Sequence, residues 1–114
     1  MPKFMFLARG GCEERPEPTP EQMEAGMQAW MEWMNKGTSE GWLLDPGSPL
    51  GGDGAVVQPD LSVTDGPFTE SKELVGGYSI VEAADLAAAI ELAKQTSALA
   101  NGKIEVREFA NVGG

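Results

Sequence analysis

The sequence predicts a single α+β domain. Three observations carry this. Two long segments have apolar residues at helical spacing, short runs rich in β-branched and aromatic residues flank and separate them, and the resulting order is β, α, β, a small β insertion, β, α, β. A chain of 114 residues leaves no room for a second core of useful size, so residues 1–114 are expected to form one unit.

Lys3 to Arg9 reads as the first strand. Both of its faces, Phe4/Phe6/Ala8 and Met5/Leu7, are apolar, which predicts burial on both sides of a sheet. Thr19-Pro20-Glu21-Gln22 then offers an N-cap, a Pro at the first helical position and a capping-box Gln, so a helix starts there. Met23, Met27, Trp30, Met31 and Met34 form one apolar stripe and are expected in the core, with Trp33 on its flank facing a cleft or a partner and Gly37 as the stop. Glu40 to Leu44 is the second strand. Asp45 to Gly54, rich in Gly and Pro, reads as a long loop and a candidate lid.

Ala55–Gln58 and Leu61–Thr64 are short β pieces around Pro59-Asp60, consistent with a small hairpin. Gly76-Gly77 introduces a strand from Tyr78 to Ala83. Asp85 caps a second helix whose inner face is predicted to carry Leu86, Ala89, Ile90 and Ala93, ended by Asn101-Gly102. Lys103 to Phe109 alternates Ile104 and Val106 with Glu105 and Arg107 and forms the last strand. A split βαβ order of this kind is ferredoxin-like, with two helices on one face of an antiparallel sheet. The other face, bearing Met5 and Leu7, would stay wet unless an identical copy covered it, and a homodimer is therefore expected.

Composition excludes several functions. Eighteen Asp and Glu against eight Lys and Arg give a net charge of −10, which repels phosphate backbones and anionic lipid, so neither nucleic-acid nor membrane roles are expected. The run from Phe4 to Ala8 is too short for a signal-peptide core or a membrane span, and a cytoplasmic location follows as the expectation. A lone cysteine, Cys12, cannot make an internal disulfide. The absence of histidine removes Ser-His-Asp and Cys-His nucleophile systems and helix-borne His zinc sites. Asp45, Asp53 and Asp60 leave a carboxylate-only Mg²⁺ or Ca²⁺ site open but match no calcium-loop spacing, and no glycine pattern resembles a phosphate loop, so no metal or cofactor is expected.

The candidate site residues are few. Asp65, in Asp65-Gly66-Pro67, could act on a small ligand as a general base if burial raised its pKa, although the same tripeptide also reads as a turn. Alternation places Arg9 and Arg107 on the sheet face away from Phe4, Ile104 and Val106. There they could line a cavity between the subunits of the dimer and hold a ligand carboxylate, or pair with Glu105 or Glu82 as interface salt bridges. Trp42 and Tyr78 could form an aromatic wall or pack in the core. Glu70, Lys72 and Glu73 form a charge run that reads as a solvated loop, with Lys72 kept as a candidate ligand contact.

The stretch Thr64-Asp65-Gly66-Pro67-Phe68-Thr69-Glu70-Ser71-Lys72-Glu73-Leu74-Val75-Gly76-Gly77-Tyr78 resembles the DGPF segment of the YCII-related family, and Gly102 to Arg107 resembles its closing strand. With the first strand, the Met/Trp helix and Gly41-Trp42-Leu43-Leu44, the similarity spans nearly the whole chain. The resemblance implies a ferredoxin-like domain that dimerises into an α+β barrel, and a sigma-factor-related protein as a partner. In members proposed to be enzymes, a histidine near the first helix pairs with an aspartate. Asp65 lies in the matching motif here, and the histidine is missing. Two functions are thus expected: a noncatalytic regulatory module binding a small organic ligand or a protein, or an acid/base enzyme acting on a small organic acid through Asp65.

Overall fold

A computed structural model describes residues 1–9, 19–51, 54–66, 75–100 and 102–110. Cys12 and Lys72, and with Lys72 most of the DGPF stretch, lie outside them. The elements are β1 (Lys3–Arg9), α1 (Pro20–Glu40), β2 (Leu43–Asp45), β3 (Gly54–Val57), β4 (Val63–Gly66), β5 (Val75–Glu82), α2 (Leu86–Ala100) and β6 (Lys103–Glu108). Four strands form an antiparallel sheet in the order β2-β5-β1-β6, so the strands of each β-α-β unit are separated by one strand of the other.

Register explains the core. Phe4 lies opposite Val81 and Phe6 opposite Ser79, and on the other side Phe6 meets Val106 and Ala8 meets Ile104. These residues share the face that both helices cover, where Phe4, Phe6 and Val81 pack with Trp33, Leu43, Ala89 and Ala93. Each large apolar side chain enclosed there contributes about 1.5–3 kcal/mol.

Helix α1 begins as expected: Thr19 Oγ1 accepts the Gln22 N–H at 3.1 Å and Gln22 Oε1 accepts the Thr19 N–H at 2.9 Å. It does not stop at Gly37. The helix continues to Glu40 and is closed by Gly41 in the left-handed conformation (φ 84°), which delays β2 to Leu43–Asp45. Gly37 serves packing instead, since a Cβ there would come within 2.6 Å of Leu43 Cβ and 2.9 Å of the Trp42 ring.

The methionine stripe is corrected as well. Met23, Met27 and Met31 are exposed, Met27 at 65 %, while Trp33 is the most enclosed large side chain of the helix at 6 %. The buried face runs through Trp30, Trp33, Met34 and Gly37, because Trp33 Nε1 donates to Gln95 Oε1 of α2 at 3.1 Å and its ring meets those of Trp30 and Trp42 edge-on.

In α2, Asp85 Oδ1 accepts the Ala88 N–H at 2.8 Å. Ala89, Ala93 and Thr96 are buried, whereas Leu86 and Ile90, expected inside, are exposed. Small residues form the inner face because they let the helix lie close to the sheet.

Among the described residues β3 and β4 pair only with each other. The Asp65 backbone stands opposite Ala55 within β4, whose last residue is Gly66, and Pro67 of the expected turn lies outside the described residues. The hairpin reverses around Pro59-Asp60 as expected: Gln58 donates its N–H to Ser62 O, Leu61 takes a positive φ of 72°, and Asp60 Oδ1 accepts both the N–H and the hydroxyl of Ser62. The predicted lid is in part a strand neighbour, since Pro49 bridges Gly77 and the Leu50 N–H donates to Gly76 O at 2.8 Å. No described helix is long and apolar enough to cross a membrane.

Candidate functional site

A cavity of about 490 Å³ opens between the helix-covered face of the sheet and α1, within the range of small-molecule sites. Its origin lies in residue size. Ala8 of β1 lies opposite Gly77 of β5, and Ser79 follows on the same face, so this end of the sheet carries almost no side-chain bulk. Phe6, Ile104, Trp30 and Met34 supply apolar walls, and Thr96 of α2 reaches the far side.

The rim is the segment from Pro46 to Pro49. Gly47 is held at φ 70°, with its N–H donating to Asp45 Oδ1 at 2.8 Å, and a Cβ at that position would overlap the Tyr78 carbonyl. A Cβ on Gly77 would meet Ser48 O at 3.2 Å. Two glycines thus allow the rim to lie directly on β5.

Polar groups in the cavity are sparse. The Thr96 hydroxyl donates to Ala93 O at 2.8 Å, so towards the cavity it can only accept. Ser79 is 7 % exposed and its hydroxyl has no hydrogen-bond partner among the described residues, while no enclosed side-chain N or O among them lacks one. Its hydroxyl therefore retains open space, and that space is the cavity. None of the described lining residues is charged.

The opposite sheet face has different chemistry. Met5, Leu7, Tyr78 and Ile80 give it an apolar centre by alternation. Beside them, Arg9 Nε and Nη2 both lie 2.8 Å from Glu105 Oε1, and Arg107 Nη1 lies 3.4 Å from Glu105 Oε2. The Arg9 hydrogen bond, with support from Arg107, holds the Glu105 carboxyl below its ordinary range. Glu82 lies 3.7 Å from the N-terminal ammonium. The expected salt bridges thus form through Glu105, within one chain.

The sheet separates residues that the sequence put forward as candidates for one site. Arg9 and Arg107 share the outer face, and Tyr78 borders the cavity where its backbone meets Gly47. Trp42 joins neither group: its ring lies 5.1 Å from that of Trp33 and its Nε1 donates to Glu40 Oε1. Trp42 and Tyr78 make no aromatic wall. The Asp65 backbone belongs to the separate hairpin. Among the described residues no three His, Cys, Asp or Glu side chains gather as a metal site requires.

Sequence reasoning missed Ser79, Thr96 and Gly47. A usable signal existed for the first: Gly76-Gly77 and Ser79 interrupt an otherwise apolar central strand, and absent side chains in a strand mark a void or a close approach.

No curated protein gives a significant match to the chain. The YCII-related domain model matches residues 4–111, from the first core phenylalanine through the last strand. Since that match includes β1, both helices, the cavity and the DGPF stretch, this chain belongs to the YCII-related domain family.

Proposed function

We propose that the chain is a noncatalytic, homodimeric module that takes up a small molecule in the cavity between α1 and the sheet, in the regulatory setting that the family's association with sigma factors implies. The cavity itself carries this reading: it has ligand-sized volume and an apolar lining with a few hydroxyls, the usual make-up of a binding pocket. The acid/base alternative through Asp65 draws no support from the described lining, which offers no titratable pair.

Two copies would meet through the outer sheet face, where Met5, Leu7, Tyr78 and Ile80 are half-buried and lie on the side away from the helix-packed core. Closing that face sheet-to-sheet is the route to an α+β barrel. The cavity lies on the other side of the sheet, so dimerisation leaves it accessible.

Ala8→Leu places a larger side chain on the cavity floor. In a thermal-shift screen of small molecules, compounds that raise Tm of the wild type should lose that effect in the variant. A screen in which every stabilising compound acts equally on both proteins would refute the cavity as the binding site.

A further inference from the structure

We infer that the cavity selects an uncharged, ring-bearing apolar molecule that presents one carbonyl or hydroxyl group to Ser79. This rests on the cavity being a binding site and narrows its occupant to a chemical class.

The lining decides the charge. A carboxylate or ammonium entering the cavity would leave water without meeting an opposite charge on any described lining residue, and unpaired burial is strongly unfavourable. Both arginines first considered as carboxylate holders lie on the other side of the sheet, engaged with Glu105. The net charge of −10 further disfavours an anion.

The walls decide the shape. Phe6 and Trp30 are aromatic, and Met34 adds a polarizable thioether, surfaces that suit a flat ring. Ser79 then decides the polar feature. The residue is largely buried, while its hydroxyl, unpartnered among the described residues, stays open to the cavity, so a pure hydrocarbon would strip its water without replacing the hydrogen bond. Thr96 can add only an acceptor, because its hydrogen is already donated to Ala93 O.

Three probes of nearly equal shape test this in equilibrium dialysis with the full chain: methyl naphthyl ketone, naphthoate and ethylnaphthalene. The ketone should bind at least about tenfold more tightly than the anion, which has no counter-charge to meet. Ser79→Ala should weaken the ketone by about two- to tenfold, the worth of one neutral hydrogen bond, and tighten ethylnaphthalene, which then no longer strips a hydroxyl of its water. Ala8→Leu should weaken both neutral probes.

Naphthoate binding as tightly as the ketone would overturn the assignment of ligand class while leaving the cavity as a site. Equal loss of ketone and hydrocarbon in Ser79→Ala would reduce Ser79 to a packing residue and overturn its role. Failure of all three probes to bind the wild type would instead remove the binding-module reading on which the inference rests.

Discussion

At the scale of single residues, Glu105 is the group whose ionisation the fold alters most legibly. It lies between two guanidinium groups on β6 and the neighbouring β1, and the Arg9 hydrogen bond favours its charged form. A carboxyl whose folded pKa lies below its unfolded value stabilises the native state fully above the ordinary value of 4.5, and loses that contribution as pH falls through the lowered one. Glu105→Gln should therefore lower Tm near neutral pH. The gap from wild type should shrink and close as the solution is acidified below that ordinary value. A gap of constant size down the same pH series would show that Glu105 acts through shape alone. Asp60 is also lowered, chiefly by the Ser62 hydroxyl, but it serves the hairpin turn and not the sheet.

Among the elements, the segment after β2 shows how a rim is built without a long lid. Pro46 to Leu50 lies beside β5 through the Pro49–Gly77 bridge and the Leu50 N–H to Gly76 O bond. Gly47 makes this contact possible by combining a left-handed backbone with the absence of a Cβ. Gly47→Ala should cost more than about 1 kcal/mol, because the added methyl is wrong both for the dihedral angle and for the Tyr78 carbonyl. Chemical denaturation would measure the loss. Relief of the clash should also shift the rim and weaken cavity ligands, whereas unchanged stability would mean that the rim moves freely away from β5. The hairpin of β3 and β4 presents the opposite case: with no third strand among the described residues, it leaves Val57 and Val63 exposed, and two strands alone are marginal in water.

Across the whole molecule, charge is divided unevenly. On β1, β5 and β6 the outer face carries Lys3, Arg9, Lys103 and Arg107 against Glu82 and Glu105, a net of +2. The remaining four cations and sixteen carboxylates of the chain leave −12 elsewhere. Two copies meeting through that face would bring like-charged faces together, and two bodies of −10 would also repel at long range. The proposed dimer should tighten between about 20 mM and about 150 mM salt, where the Debye length shrinks to about 8 Å. Sedimentation equilibrium across this range would test it. A dissociation constant that rises with salt would point to an interface of opposite charges, and a lasting monomer at every salt concentration would end the barrel proposal.

Much of the architecture was legible because local chemistry agreed with tertiary packing. The Thr19–Gln22 capping box, the Asp85 cap, the strand at Lys3–Arg9 and the alternation of Arg9 and Arg107 away from Phe4 all follow from short-range rules: a side chain meets a neighbouring N–H, or successive residues point to opposite faces. Helical spacing identifies an apolar stripe, but not which part of it meets a sheet, so Trp33 rather than Met27 is enclosed. The site was less legible still. A cavity is a deficit of atoms, produced where Ala8, Gly77 and Ser79 from different strands come side by side, and no single segment contains it. The sequence by itself determined the elements, the helix starts and the absence of histidine chemistry. Only the tertiary structure decided that Arg9 and the cavity lie on opposite sides of one sheet, because that depends on strand register, which brings together residues separated by most of the chain.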